Sequence, residues 1–343
     1  MIGRSAVTTR VPARERRPSR RGDLRKRRDF IVLATLLVAS AAATGATATG
    51  LIRPDAGTPP RSRVAAATRA GGPASVSYGF AWLRRHGQPA LDVHAAAAIV
   101  VDLDTRTVLW ALSPDLRRAP ASLTKMVTAM VALDHASPQQ VLTVPAAAAA
   151  MPPDRMGLGE GDRVTVEDLL YGVFLDSGND AAETLGTRIL PWGRFVQVMN
   201  EKVKQLGLTG TRFVNPTGLD APGHYSTAYD LAVIGGYLEE HYPLLARVAE
   251  TREKWMSAGP GHKAFDLRTL DKMLAIYPGA TGLKTGFTDN AGGCLVATAT
   301  RGGRHLLAVV LGSDVFFTDA TRMLDYGFSV TPTAPGRGPT ATP

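Results

Sequence analysis

The chain has 343 residues, of which 45% are hydrophobic and 20% are charged, and these proportions exclude disorder over the whole length. The net charge is +9, but residues 1–29 alone hold 11 lysines and arginines against three acidic residues. The rest of the chain is almost neutral, so the basic balance does not indicate nucleic-acid binding. A single cysteine, Cys294, excludes an intramolecular disulfide and a cysteine-rich zinc site.

The segment that follows the basic leader, residues 30–52, contains no charged side chain. Its apolar part is short and gives way to alanine, threonine and glycine, which favours a cleaved signal peptide over a membrane anchor, although both stay open. The paired arginines before it, Arg27 and Arg28, also resemble a twin-arginine export signal. In each case the basic leader stays in the cytoplasm, and the body is exported to the periplasm or to the outer face of the cell membrane.

Composition also sets the boundaries of the folded part. Residues 53–78 are rich in proline, alanine and arginine, which predicts a linker that buries no core. Residues 331–343 contain mainly threonine, proline, glycine and alanine, which predicts a disordered tail. A catalytic domain is therefore expected over residues 79–330.

The predicted elements within this domain follow the order strands, helices, strands, helix. Two apolar runs, 97–103 and 108–112, predict a first β-hairpin, and the runs 292–299 and 306–312 predict a second. Helical spacing of apolar residues predicts these helices: 121–135, 166–175, 181–190, 195–206, 228–245 and 320–326. The order predicts an α+β fold, with an antiparallel sheet made from both chain ends and an inserted helical subdomain.

Several kinds of functional site find no support in the sequence. The seven histidines are scattered and none occurs in a metal-binding pair such as H-E-x-x-H, so we expect no metal and no cofactor. No serine occupies G-x-S-x-G, the nucleophile elbow of α/β-hydrolases.

One motif can supply a nucleophile. Ser122 and Lys125 are three residues apart at the start of a predicted helix, just after Pro120, so their side chains share one helix face. A partly desolvated amine beside a hydroxyl can accept the hydroxyl proton and make the oxygen nucleophilic. The N–H groups at the helix start would favour an oxyanion at the same place.

Two further motifs follow along the chain. Ser177 and Asn179 lie in a predicted turn between helices and offer a hydroxyl for proton relay and an amide for a substrate carbonyl. Lys284 and Thr285 can attract an anionic group, and Gly286 leaves a strand edge open for a peptide backbone. Each motif alone is weak, but the ordered trio is expected by chance in fewer than about one chain in a thousand of this composition.

The trio and its surroundings resemble the low-molecular-mass penicillin-binding proteins, specifically the serine D-alanyl-D-alanine carboxypeptidases, which have a β-lactamase/transpeptidase-like fold. The resemblance spans roughly residues 90–328. The segments that carry it are 121–126, 164–172, 177–182, 215–219, 225–232 and 282–288.

The resemblance implies a role for each motif residue. Ser122 is similar to the acylated nucleophile of the family and Lys125 to its general base. Ser177 would relay a proton to the departing D-alanine, while Asn179 would orient the acyl amide.

The third motif would bind the substrate end. Lys284 and Thr285 would meet the terminal carboxylate, with Gly286 at the open strand edge. The backbone N–H groups of Ser122 and Phe287 would form the oxyanion hole. The implied partners are peptidoglycan stem peptides, with β-lactams as inhibitors that acylate Ser122.

The chain departs from the family pattern at three places. Many relatives carry a second, C-terminal domain with a membrane anchor, whereas the resemblance here ends at about residue 328. The loop 313–319 lacks the arginine that relatives often place near the substrate carboxylate. The sequence from Arg268 to Asp271 replaces the usual Asn-Thr-Asn before the third motif.

Other activities share the same catalytic groups. A class A β-lactamase needs a glutamate that activates the deacylating water, and the candidates Glu183 and Glu201 lie inside predicted helices. A D,D-endopeptidase is hardly distinguishable from a carboxypeptidase by sequence. A binder without catalysis is disfavoured because it would not need Lys125.

Overall fold

The computed structural model describes residues 76–330. The predicted leader, the segment 30–52 and the tail lie outside this part. Val76 and Tyr78, which the sequence assigned to the linker, are buried in the domain core. The packed domain therefore extends over the last three residues of that predicted linker, because these two side chains supply apolar area that the rest of the linker lacks.

The strands of the described part form one large sheet and two small ones. In chain order they are β1 (Ala97–Asp102), β2 (Thr107–Leu112), β3 (Val141–Thr143), β4 (Arg163–Thr165), β5 (Glu253–Met256), β6 (Phe265–Arg268), β7 (Ala280–Thr288), β8 (Gly292–Arg301) and β9 (Arg304–Leu311). The large sheet has the strand order β2-β1-β9-β8-β7 and is antiparallel throughout. It joins both ends of the domain, as predicted, and leaves β7 at one edge.

The helices lie mainly between β2 and β7. In chain order they are α1 (Ala81–His86), α2 (Lys125–His135), α3 (Ala146–Ala149), α4 (Val166–Phe174), α5 (Asn179–Arg188), α6 (Trp192–Gln205), α7 (Ala228–His241), α8 (Pro243–Glu250), α9 (Met273–Ile276) and α10 (Phe316–Ser329). A 3₁₀ turn, Ala121–Thr124, directly precedes α2. The predicted helix 228–245 is wrong as a single element, because Pro243 begins a second helix after a break at Tyr242.

The large sheet is buried on both faces. Successive residues of β9 alternate between two apolar clusters: Leu307 and Val309 face the helical insertion, while Leu306 and Ala308 face α10. The central strands are therefore continuous apolar runs, which is why the sequence revealed them. Strand β7 lacks such a run, and the sequence did not predict it as a separate strand.

The helical insertion places the 3₁₀ turn Ala121–Thr124 beside β7, and α2 continues from this turn into the core. The first eight residues of α2 are all buried, as expected of a helix that lies inside the core rather than on its surface. Among residues 76–330, no helix is both long and apolar enough to span a bilayer. Within the same range, no group of three or more metal-ligating side chains is positioned to hold an ion.

Candidate active site

The nucleophile candidate Ser122 lies on the 3₁₀ turn at the start of α2, directly beside the edge strand. An added Cβ at Gly286 would lie 2.9 Å from the Ser122 backbone nitrogen, so β7 can approach this closely only because residue 286 has no side chain. Ala121 has a φ of 49°, an unfavourable left-handed backbone conformation for alanine. The close approach puts the Ser122 N–H at the interface between the turn and β7.

Lys125 is fully buried and makes three short contacts. Its Nζ lies 2.7 Å from Ser122 Oγ, 2.8 Å from Asn179 Oδ1 and 2.7 Å from the Thr217 carbonyl oxygen. Burial, reinforced by the nearby Lys284, lowers the pKa of Lys125 well below its ordinary value. A neutral amine donates its two N–H groups to the Asn179 and Thr217 oxygens, which only accept, and keeps its lone pair for the Ser122 hydroxyl proton.

Ser177 and Lys284 form a second pair on the other side of the site. Lys284 Nζ donates to Ser177 Oγ over 3.0 Å and to the Thr285 carbonyl over 2.9 Å. Burial lowers the pKa of Lys284 to about 8, so its ammonium form is still present at neutral pH. Ser177 has a φ of 54° in the turn between α4 and α5, where the sequence placed it.

Asn179 connects Lys125 to a neighbouring loop. Its Nδ2 donates to the carbonyls of Pro152 and Pro153 over 3.0 and 3.1 Å, while its Oδ1 accepts from Lys125. The side chain thus has no free N–H for a substrate carbonyl. The role that the resemblance implies for Asn179 requires one of these two bonds to be exchanged.

Close packing requires a glycine at position 178, between Ser177 and Asn179. A side chain at Gly178 would come within 2.8 Å of Asp180 Oδ1 and 2.9 Å of the Met156 nitrogen. This packing explains why the motif reads Ser-Gly-Asn in this chain.

We call the loop 150–162, between α3 and β4, the cleft loop. The buried Asp180 carboxylate holds it against α5 by accepting hydrogen bonds from the backbone nitrogens of Met156, Gly157 and Leu158, at 2.8–2.9 Å. The loop borders an opening that we call the cleft, about 240 Å³ in volume. The cleft is lined by Ser122, Pro153, Asp154, Asn179, Gly218, Leu219, Phe287 and Thr288.

The predicted carboxylate-binding and oxyanion residues of the third motif all lie on β7. Thr285 is buried beside Lys284, whereas the Phe287 side chain is 64% exposed at the cleft. As an edge strand, β7 leaves part of its backbone N–H and C=O groups unpaired. The structure thus places the third motif on the strand that lies against the Ser122 turn.

Sequence reasoning assigned no role to several groups that support this site. The Thr217 carbonyl is one, and the resemblance included its segment without a function. His224 is another: its Nδ1 accepts from the Val214 nitrogen, so its Nε2–H donates to Thr124 Oγ1 over 2.8 Å. Burial lowers the pKa of His224 to about 4, so the neutral ring persists at physiological pH and ties the Ser122 turn in place.

Asp271 is a third such group, in the segment where relatives usually carry Asn-Thr-Asn. Its Oδ1 accepts from the Met273 nitrogen, while its buried Oδ2 has no hydrogen-bond partner among the described residues. Burial raises the pKa of Asp271 to about 6. Its carboxylate opposes part of the lowering that burial causes in the pKa of Lys284. A buried thiol, Cys294, lies on β8 with its pKa raised by burial to about 11, which makes it a poor nucleophile.

Comparison with known proteins agrees with this geometry. A profile of the D-alanyl-D-alanine carboxypeptidase family matches residues 84–315. The chain belongs to this family. Among curated relatives, the D-alanyl-D-alanine carboxypeptidase DacF of Bacillus subtilis is 34% identical over 250 residues, which cover 70% of this chain. The carboxypeptidase DacB2 of Mycobacterium tuberculosis is 34% identical over 254 residues, which cover 72% of this chain.

Solved structures of the family share the fold. A variant of the Streptomyces K15 DD-transpeptidase is 30% identical, with a TM-score of 0.66, and the match covers 71% of this chain and all of that one. The D-alanyl-D-alanine carboxypeptidase from M. tuberculosis is 34% identical, with a TM-score of 0.67, over 72% of this chain and 96% of that one. The fold is thus the predicted penicillin-binding, α+β type. The match covers 64% of the B. subtilis relative and 86% of the DacB2 relative.

Proposed function

We propose that the protein is a serine D-alanyl-D-alanine carboxypeptidase that removes the terminal D-alanine from peptidoglycan stem pentapeptides. The observation that carries this proposal is the buried Lys125 amine 2.7 Å from Ser122 Oγ, at the open edge of β7. A binding protein without catalysis has no need of a desolvated lysine beside a serine, and family membership agrees with the assignment.

In the first half-reaction, Lys125 accepts the Ser122 hydroxyl proton and the oxygen attacks the carbonyl carbon of the penultimate D-alanine. The backbone N–H groups of Ser122 and Phe287 stabilise the oxyanion. The C–N bond then breaks, and the proton that Lys125 accepted passes through Ser177 to the leaving amine, which returns Lys125 to its neutral form. D-alanine departs and an ester on Ser122 remains.

In the second half-reaction, a water molecule attacks the ester carbonyl, and the shortened peptide leaves. Lys125 again accepts a proton, because it is the only general base in contact with the Ser122 oxygen among the described residues. Until D-alanine departs, its carboxylate is bound by the Lys284 ammonium and the Thr285 hydroxyl, with Gly286 leaving room for the peptide beside β7.

Two related activities use the same acyl-enzyme. A D,D-endopeptidase cleaves cross-links, and a transpeptidase, the activity for which the Streptomyces K15 protein is named, passes the acyl group to an amine. A β-lactamase is disfavoured, because Glu183 lies on α5 and Glu201 pairs with Arg194 on the surface, and neither lines the cleft.

The substrate also implies where the protein acts. Stem peptides lie outside the cytoplasm, in agreement with the basic leader and the apolar segment 30–52 of the sequence. We propose that the folded part is exported, and that it either contacts the membrane through residues 30–52 or is released after cleavage. β-Lactams would acylate Ser122 and leave slowly.

The test uses the purified full-length chain, a fluorescent penicillin and a pentapeptide that ends in D-Ala-D-Ala. Covalent labelling that is lost in Ser122→Ala, together with release of free D-alanine, is the expected result. Labelling without D-alanine release would shift the assignment to the endopeptidase or a binder. Rapid turnover of penicillin would indicate a β-lactamase, and transfer to an added amino acid would indicate a transpeptidase.

A further inference from the structure

The cleft contains one acidic side chain that the proposed mechanism does not use. Asp154 lies in the cleft loop and lines the same opening as Ser122, Asn179 and Phe287. Its side chain is exposed, so it is accessible to a bound molecule. It is the only carboxylate among the residues that line the cleft.

Although its side chain is exposed, Asp154 is positioned by buried bonds. The Asn179 nitrogen donates to the Asp154 carbonyl over 2.8 Å, which joins the residue to the start of α5. The three residues after Arg155 are held by the buried Asp180 carboxylate. The Asp154 carboxylate therefore projects from a fixed backbone beside the catalytic groups.

The carboxylate has no ionic partner in the part of the chain that the structure describes. Arg155 points instead to Asp180, at 3.8 Å, and no cationic side chain of residues 76–330 lies within 4.0 Å of Asp154. Burial lowers the pKa of Lys125 and of Lys284, and the negative charge of Asp154 opposes part of this lowering at both lysines. A carboxylate that faces a substrate cleft without a counter-ion is suited to binding a cation from the substrate.

The polarity of the bound peptide places this carboxylate on the acyl side. If the terminal carboxylate is at Lys284 and Thr285 and the scissile carbonyl is at Ser122, the rest of the peptide continues toward Phe287 and the cleft loop. This step depends on the proposed function. Asp154 is thus beside the residues that precede D-Ala-D-Ala, rather than beside the leaving D-alanine.

We propose that the Asp154 carboxylate is a subsite for an ammonium group on the acyl part of the peptide. The preferred substrates are therefore peptides in which a residue shortly before D-Ala-D-Ala carries a free amino side chain. The contact is a charge-assisted hydrogen bond at a partly open site, for which we expect a preference of about 5–20-fold in kcat/KM.

The experiment compares two substrates that differ in one charge. The first is an N-acylated L-Lys-D-Ala-D-Ala, and the second is the same peptide with the lysine amine acetylated. We measure D-alanine release by the full-length wild type and by Asp154→Asn. The wild type is expected to prefer the free amine, whereas Asp154→Asn cleaves both peptides with similar kcat/KM, close to the wild-type value for the acetylated peptide.

A matched control distinguishes contact from general electrostatic attraction. Asp289 is exposed in the turn after β7 and does not line the cleft, so Asp289→Asn is expected to keep the preference. If both variants lose it equally, the preference is a long-range effect and the subsite is wrong.

The remaining outcomes separate this inference from the proposed function. Release of D-alanine from both peptides at equal efficiency by the wild type would overturn the subsite but keep the carboxypeptidase. An equal loss with both peptides in Asp154→Asn would also overturn it, because Asp154 would then act on the reacting groups. No D-alanine release from either peptide by the wild type would reject the function itself.

Discussion

Strands β1, β9 and β8 bury apolar side chains on both faces, whereas the active site beside β7 buries two lysines together with hydroxyl and amide groups. The active site also holds Ala121 and Ser177 in left-handed backbone conformations, each of which costs about 1–3 kcal/mol. The side chains of the sheet thus favour the folded state, whereas the buried polar groups and the backbone strain of the active site oppose it. The difference teaches that the sheet supplies the stability that keeps the catalytic groups desolvated and aligned.

The sharpest way to test this division is to remove the general base, Lys125, from the active site. Lys125→Met is expected to slow acylation of Ser122 by about 10³-fold or more, because the variant lacks the amine that accepts the Ser122 hydroxyl proton. The measurement is the rate of covalent labelling by fluorescent penicillin, with circular dichroism to show that the variant is folded. Labelling at the wild-type rate would exclude Lys125 as the base.

The complementary change is made in the sheet. Leu307 is fully buried at the centre of β9, and Leu307→Ala is expected to lower the free energy of unfolding by about 2–5 kcal/mol through the cavity that it leaves. Urea unfolding measures this loss. The labelling rate of the folded protein should stay within about twofold of wild type, since Leu307 does not line the cleft and lies on β9 rather than on β7. A large fall in that rate would show that the two regions are not separable.

A smaller effect concerns the pH dependence of catalysis. Lys284 binds carboxylate as an ammonium ion, and its pKa is about 8, so kcat/KM is expected to fall as pH rises above about 8. Asp271→Asn removes a negative charge that raises the pKa of Lys284, so the alkaline limb should move to lower pH. The exposed Asp314→Asn serves as control and should leave the limb in place. An unmoved limb in Asp271→Asn would contradict the coupling.

The smallest effect lies away from the cleft, at Glu239 on α7. Burial raises the pKa of Glu239 to about 7, so the folded state favours the protonated form and loses stability as pH rises from about 4.5 through 7. Glu239→Gln is expected to remove this loss and to be more stable than wild type by about 1–3 kcal/mol at pH 8, but not at pH 4. Urea unfolding at both values measures it, with the exposed Glu160→Gln as control.

Prediction from sequence succeeded where the burial of apolar side chains alone decides the structure. The apolar runs of β1, β8 and β9 follow from burial on both faces, and the predicted hairpins are confirmed. Strand β7 has no such run, since its place at the edge is set by pairing with β8 and by contact with the Ser122 turn. The break between α7 and α8 follows from Pro243, a local signal that the helical periodicity concealed.

The candidate site divides in the same way. The motif spacing predicted that the side chains of Ser122 and Lys125 can meet, because residues three apart lie about one helical turn from each other, and Lys125 Nζ does contact Ser122 Oγ. The supporting groups at Thr217 and His224 could not be found, since one acts through a backbone carbonyl and the other across 100 residues of chain. Asp154 was missed because nothing in its sequence neighbourhood shows that the loop folds over the cleft.

The Pro152 and Pro153 carbonyls, which accept both side-chain N–H groups of Asn179, compete with any ligand for this amide. A ligand that accepts from one of these N–H groups must displace a loop carbonyl. One hydrogen bond then replaces another, so the contact adds little net binding free energy. If the exchange disfavours the open arrangement by about 1 kcal/mol, the apparent affinity falls about fivefold. A ligand that also contacts the cleft loop is expected to recover this affinity. The loop would then select among acyl groups by how long each stays bound.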